Sequence, residues 1–339
     1  MHGREALFEA ATRYYLQDET MAAIGARLGV SRSTVSRMLR EARESGLVRI
    51  TLTPPEQAPT RLVQDLTDTF GVTAHVVPSR ESATPGGQLD AVARQAAALV
   101  GDLMGDETTL GVAWGTTVSA VAARLVPRPT RGSAVVQLNG AASTSSSGVG
   151  YAGEVLARFG AAFDAPVHYF PVPAFFDYAT TRDALWRERT VRRVLDLQAR
   201  LDVAIFGVGS FAGPVMSHVY AEGYLSAQEM ADLLRQGAVG DICTVLLRAD
   251  GSYADIPTNS RASGPSPAVL AGVGRRVCVV AGRHRAASTL GALRSGAVTD
   301  LVIDEPTART VLAADRAGPR PRDWAPDDGG FGARRTVGP

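Results

Sequence analysis

Two sets of residues in this chain have the types and spacing to do chemistry, and both suit binding rather than bond-making. The first runs Ser31-Arg32-Ser33-Thr34-Val35-Ser36-Arg37, with Arg40 and Arg43 at helical intervals beyond it. Guanidiniums match guanine edges and phosphates, and hydroxyls bond either. Arg32, Ser33, Ser36 and Arg37 therefore suit bases or nearby phosphates, and Arg40 and Arg43 suit backbone positioning. Thr34 adds a further hydroxyl to that surface, and Ser31 is a good N-cap for the helix that carries it. The second set lies in three short glycine-containing loops, Gly115-Thr116-Thr117, Asn139-Gly140 and Gly209-Ser210. Free backbone N–H groups where a strand turns into a helix attract an anion, and neighbouring hydroxyls can bond its oxygens.

The first set needs a helix pair to present it, and the flanking residues supply one. Met21, Ile24 and Leu28 recur at helical spacing among small alanines, Gly29 stops that helix, and Val35, Met38, Leu39 and Ala42 form the apolar stripe of the next. Leu7, Ala10, Ala11, Tyr14 and Tyr15 predict a bracing helix over Arg4 to Gln17. The result is a helix-turn-helix head whose second helix offers its polar face to a major groove. An ordinary amphipathic pair would share the stripe, but not the combination of glycine turn, capped second helix and hydroxyl–arginine pattern. Leu47 to Leu52 alternates as a strand would, forming a small wing or leading onward. The head thus spans 1–52, and the proline-rich segment 53–60 is a linker.

From Arg61 on, helical and strand-like stretches alternate, which predicts an α/β domain with a largely parallel sheet over 61–315. The strands Thr108 to Ala113, Ala134 to Leu138 and Val203 to Phe206 each run into one of the three loops. Ligands bind beyond the carboxyl ends of such strands, so the loops could line one crevice. None has the G-x-G-x-x-G spacing of a dinucleotide site. Asp241 opens an apolar strand read from Gly237 through Leu247; it either bonds its own turn or captures a ligand hydroxyl. Arg182 to Leu201 reads as one charged amphipathic helix, and Glu305 to Ala314 as the last helix. Residues 316–339 read as a disordered tail.

Composition narrows the chemistry. The 339 residues carry a formal charge of only +1, so any DNA-facing surface must be local. All 35 Lys+Arg residues are arginine. That absence of lysine excludes a Schiff-base enzyme, a P-loop ATPase and a lysine general base. Cys243 and Cys278 lie in apolar runs as buried core thiols, neither a disulfide framework nor a metal cluster. No cofactor or metal is expected. Without a leader or a membrane-spanning run, the chain reads as a cytoplasmic protein.

Taken together, SRSTVSRML, GVAWGTTV, LNGAAS, FPVPAFF, LDVAIFGVGS, GYLSAQEMADLLRQGAVGDICTVLLRADG and VVAGRHRAASTLGALRSGAVTDLVIDEPTARTVL resemble, in order and spacing, the SorC family of SorC/DeoR-type sugar-responsive bacterial transcription regulators. The resemblance implies a DNA-binding head, a Rossmann-like effector domain similar to sugar-phosphate isomerases and deaminases, a phosphorylated sugar or polyol as effector, and a dimer or tetramer on a palindromic operator. By position it implies that Gly115, Thr116 and Thr117 hold phosphate, that Asn139 and Gly140 form a second ligand loop, and that Asp241 bonds sugar hydroxyls. Arg285 falls where the family typically has a phosphate-contacting lysine; it keeps the charge and adds a bidentate fork. Thr244 stands where glycine is common.

Two functions compete on this basis. One is a regulator, most simply a repressor, whose effector shifts operator affinity. The other is an isomerase- or deaminase-like enzyme fused to a DNA head, for which Asp241 and His284 are the candidate bases. The two arginines beside His284 would lower its pKa or leave it solvated. His168, His218, Phe175, Phe176 and Tyr178 could each touch ligand, but packing or surface roles are the simpler expectation. Trp186 is a candidate for oligomer contact.

Overall fold

The computed structural model describes residues 3–48, 60–79, 84–143, 149–213, 217–221 and 223–318. The chain divides into two compact units, Met1–Ala58 and Pro59–Pro339.

In the small unit α1 (Arg4–Leu16), α2 (Met21–Leu28) and α3 (Arg32–Glu44) enclose a core of Leu7, Ala10, Ala11, Ile24, Val35, Met38, Leu39 and Ala42. Thr20 and Ser31 cap α2 and α3 by accepting from the N–H of Ala23 and Thr34. Gly29 ends α2 in the left-handed region at φ 68°. A Cβ on Gly25 would stand 2.7 Å from the Val30 carbonyl oxygen, so the turn closes only over a residue without a side chain. The strand expected from Leu47 is not present in the part that can be seen. Leu47 and Val48 instead bend back onto the helical core, with the Val48 N–H on the Ala42 carbonyl at 3.0 Å. The remainder of that expected strand, most of the linker, and the tail from residue 319 lie outside the described residues.

The large unit alternates as its sequence suggests: α4 (Arg61–Phe70), β1 (Thr73–Val77), α5 (Pro85–Leu103), β2 (Thr109–Val112), α6 (Thr116–Ala122), β3 (Ala134–Gln137), α7 (Val149–Phe163) and β4 (Val167–His168). There follow α8 (Ala179–Leu185), α9 (Arg189–Gln198), β5 (Val203–Gly207), β6 (Gly209–Ser210), α10 (His218–Ala221), α11 (Ala227–Arg235), β7 (Ala238–Ile242) and β8 (Val245–Arg248). The chain ends with α12 (Pro267–Ala271), β9 (Arg275–Val280), α13 (Ala286–Arg294), β10 (Asp300–Asp304) and α14 (Glu305–Ala317). Seven strands make one parallel sheet in the order β1-β10-β9-β5-β2-β3-β4. Helices cover it, so its strands are apolar on both faces; every residue of β10 is buried. From β2 the chain winds outward through β3 and β4, whereas β5 returns to the other side of β2. The boundary between β5 and β2 is therefore the switch point, where loops diverge and leave a crevice.

Three sequence expectations need correction. The long helix from Arg182 is two helices, α8 and α9, because Trp186 is wedged between Phe170 and Phe176, ring centroids 5.5 Å from each, and Glu188 turns to extended backbone. The strand from Gly237 folds on itself as the β7–β8 hairpin, which with β6 forms a separate antiparallel sheet. Cys243 and Thr244 make its two-residue turn at φ 48° and 71°. Positive values at both positions are those of a type I′ turn, which usually carries Asn-Gly. Third, α14 runs past Ala314 to Ala317, capped by Asp304. No helix among the described residues is long and apolar enough to cross a membrane.

Candidate functional site

In the small unit, burial of Val35, Met38, Leu39 and Ala42 turns the other face of α3 outward, where Arg32, Ser33, Arg37, Arg40 and Arg43 are exposed and Ser36 is half-buried. Ser31, Ser33 and Thr34 form a hydroxyl cluster, with Ser31 Oγ 2.8 Å from Ser33 Oγ and 2.9 Å from Thr34 Oγ1. Arg37 donates to Thr34 Oγ1 at 3.3 Å, and Arg43 to the Tyr15 hydroxyl at 3.3 Å. Among the described residues no carboxylate pairs with Arg32, Arg37 or Arg40. This is an exposed, unneutralised, hydrogen-bond-rich helix face, the surface that a groove edge and its phosphates complement.

In the large unit, Gly115, Thr116, Thr117, Asn139, Gly209, Asp241 and Arg285 line one cleft at the switch point, of about 50 Å³. Gly140 and Ser210 do not line it. Gly140 is packed so tightly that a Cβ would stand 2.3 Å from the Val172 and Pro173 carbonyls, and its N–H goes to Ser263 Oγ. Ser210 Oγ donates to the His284 carbonyl at 3.0 Å. Both shape the walls rather than face the cavity.

Each lining group has a local cause. Gly115 adopts φ 151°, which favours glycine, and starts α6 with no side-chain cap, leaving the first-turn N–H groups toward the cleft. The Trp114 indole N–H bridges the Asn139 and Gly140 carbonyls at 3.3 and 2.9 Å, tying the first loop to the second. Gln137 Nε2 also donates to the Asn139 carbonyl, at 2.7 Å. Asn139 is thus held by its backbone. Asn139 is 2% exposed, and among the described residues its Oδ1 has no hydrogen-bond partner. A buried amide oxygen without a donor costs about 1–3 kcal/mol, so the position is poised for a ligand donor or an ordered water.

Asp241 is buried at the β6–β7 pairing. It accepts from the Tyr220 hydroxyl on one oxygen and from the Thr244 N–H, at 2.9 Å, on the other. Burial pushes its carboxyl up from the usual range, while the bonds from Tyr220 and Thr244 oppose that shift. Arg285 is partly buried on the same cleft: Nη1 donates to the Ala281 carbonyl at 2.9 Å and Nε to the Val208 carbonyl at 3.3 Å. No carboxylate pairs with Arg285 among the described residues. Burial lowers its pKa, the mark of a cation without a counter-ion. His284 is half-buried, not solvated, with Nε2 3.0 Å from Arg285 Nη1. Burial, then Arg285, lowers its pKa, and because a guanidinium N–H can only donate, Nε2 accepts that bond.

The remaining candidates lie elsewhere. Phe175 and Phe176 are core residues and Tyr178 is exposed, none of them on the cleft. Trp186 packs within its own chain, with the Arg182 guanidinium 5.9 Å above its ring. His168 sits on edge strand β4, and the side chain of His218 lies outside the described residues. Sequence reasoning missed Tyr220, whose role depends on a partner 21 positions away that only the fold brings near. Cys243 and Cys278 are buried and unpaired, and burial pushes the Cys278 thiol up to about 12. Among the described residues no group of three or more His, Cys, Asp or Glu side chains could hold a metal ion.

Residues 56–313 match the model of a sugar-binding domain (Sugar-bind), and residues 12–45 match that of sigma-70 region 4. The deoxyribonucleoside regulator of Bacillus subtilis (strain 168) is 32% identical over 305 residues, covering 90% of this chain and 96% of that protein. The crystal structure of the full-length sorbitol operon regulator SorC from Klebsiella pneumoniae superposes with a TM-score of 0.73 at 26% identity, over 92% of this chain and 99% of that one. A domain of a possible sugar-binding transcriptional regulator from Arthrobacter aurescens TC1 is 45% identical with a TM-score of 0.70, covering 77% of this chain and 100% of that one.

Proposed function

Because the chain belongs to the SorC/DeoR-type family of sugar-binding transcriptional regulators, we propose that a phosphorylated sugar or polyol binds the cleft between β5 and β2 and changes the operator affinity of the α2–α3 head. The observation that carries this reading is the pairing of two unmet demands in one cleft, the Arg285 guanidinium without a carboxylate and the buried Asn139 Oδ1 without a donor. A phosphate answers the first and a sugar hydroxyl the second. Thr116, Thr117 and the N–H groups of the first turn of α6 complete the anion's surroundings, and Asp241 offers its remaining acceptor capacity to hydroxyls.

The cleft is narrow for such a ligand: about 50 Å³ against the several hundred typical of ligand pockets. A ligand that fits best with the walls of the cleft further apart shifts the population toward that wider arrangement. That differential affinity is what operator control needs. A dimer or tetramer would place heads in pairs on the half-sites of a palindrome.

Turnover is the less favoured reading. The His284 Nε2 lone pair that a base would use is spent on Arg285, and each Asp241 oxygen already holds one hydrogen bond, which suits Asp241 to orienting a ligand hydroxyl. A thermal-shift series with phosphorylated and free sugars and polyols tests the proposal, since a ligand of the native state raises the melting temperature. A rise with a phosphosugar and none with its free sugar supports it; a response to free sugars alone removes the phosphate.

A further inference from the structure

A concentration of positive charge on α9 is unused by the cleft. The helix packs Val191, Val194 and Gln198 inward, which turns Arg189, Arg192, Arg193 and Arg200 out to solvent. With Arg187 just before the helix and His168 on β4, they line a depression of about 570 Å³ in which Asp196 supplies one carboxylate. Several other exposed arginines of this unit are neutralised: Arg94 and Arg124 share Asp90, Arg128 meets Asp102, Arg158 meets Glu154, and Arg309 meets Glu305, whereas those without a carboxylate, such as Arg61, Arg131 and Arg283, are scattered along the chain. Around α9, by contrast, no ion pair joins any of the five arginines to a carboxylate among the described residues. Arg200 donates to the Asp196 backbone carbonyl, at 3.1 Å, not to its carboxylate. The outer face of α3 has the same character.

We infer that this face of α9 is a second contact for the phosphodiester backbone of DNA, one that positions the duplex without reading its sequence. From Arg189 to Gln198 the helix rises roughly 14 Å, and Arg200 follows just past its end. At about 3.4 Å of duplex axis per phosphate of one strand, that is the span of about four phosphates. A protein partner fits less well, because Leu197 is the sole apolar residue in the lining and a protein interface needs a buried aromatic or aliphatic centre. The inference rests on the reading of the chain as a DNA-binding regulator.

The test compares full-length wild type with R189Q/R192Q/R193Q for binding to a random-sequence duplex, titrated from about 50 to about 200 mM salt. Each lost phosphate contact should make the slope of log K against log salt shallower by about 0.9, so the triple variant should lose about two to three in slope, with its melting temperature unchanged. The corresponding triple lysine variant should restore the slope. An unchanged slope in the glutamine variant overturns the inference. So does a change in the protein's oligomeric mass with the slope intact, which would assign the face to a second copy of the chain. If wild type itself shows no salt-dependent binding to DNA, the regulator reading has failed rather than the role of α9.

Discussion

Gly209 and Asp241 face each other across the β6–β7 pair so closely that a Cβ on Gly209 would stand 1.8 Å from Asp241 Oδ1. The glycine in this loop is there because a carboxylate occupies the volume its side chain would need. Two residues singled out separately in the sequence are thus one device. The small antiparallel sheet sets the acid at the mouth of the cleft, and Tyr220 and Thr244 fix its two oxygens.

Gly209→Ala should therefore act on ligand response and stability together. The methyl must displace Asp241 or the β6 backbone, a steric misfit of about 1–3 kcal/mol. Chemical denaturation should register that loss, while thermal shift by the effector disappears and operator binding in its absence persists. Retention of a full ligand shift would mean that Asp241 does not position the ligand.

The two units should separate by mutation. Arg37→Ala should weaken operator binding by about 1–3 kcal/mol and relax base preference, leaving effector binding intact. Thr116→Ala should do the reverse, sparing DNA binding and blunting the effector's influence on it. Gel-shift titrations with and without effector read both outcomes, and an exchange of the two phenotypes would refute the assignment.

Arg285→Gln removes a partly buried cation that no carboxylate neutralises, which offsets the loss of its bonds to the Ala281 and Val208 carbonyls, so the ligand-free protein should lose only modest stability. A charge-assisted hydrogen bond is worth about 1.5–3 kcal/mol, so affinity for a phosphorylated effector should fall roughly tenfold to a hundredfold. Calorimetric titration would measure it. Equal affinity in the two proteins would remove Arg285 from the phosphate site.

Cys278 should respond to alkali in one direction only. Its thiol pKa is raised to about 12 by burial, so the native state holds the proton more tightly than the unfolded chain does. The associated stability is complete below the ordinary thiol range and is lost as pH rises through it toward about 12, at up to about 1.4 kcal/mol per pH unit. Cys278→Ala should flatten that alkaline limb. Neither Cys278 nor Cys243 should react with a thiol reagent until the protein unfolds, and labelling of the native protein would contradict this.

What the sequence disclosed was local. The cap at Ser31, the stop at Gly29 and the stripe Val35-Met38-Leu39-Ala42 are fixed by neighbours within a few positions, and each stands where periodicity set it. The strand-then-glycine pattern also located the loops of Gly115, Asn139 and Gly209 on one cleft. Relations between distant segments stayed hidden. Nothing in the types of Asn139 or Tyr220 announces an orphaned oxygen or a bond to Asp241. Gly140 and Ser210 have the composition of ligand loops but face the protein, because Val172, Pro173 and His284 arrive against them from elsewhere in the chain. The break at Trp186 and the Cys243-Thr244 turn went unseen for related reasons: the first depends on Phe170 and Phe176, and the second places a β-branched residue where glycine or asparagine is usual.

The strand order has a consequence for how the molecule is made. β1 lies at the sheet edge, and its neighbour is β10, with Thr73 opposite Asp300. On the ribosome β1 emerges early and remains without its partner until nearly the whole chain has been synthesised, whereas the contacts of α1 to α3 are complete within the first few dozen residues. The head is thus finished long before the sensor that governs it, and a chain cut short before β10 would carry a folded head and a sheet in which β1 has no partner strand.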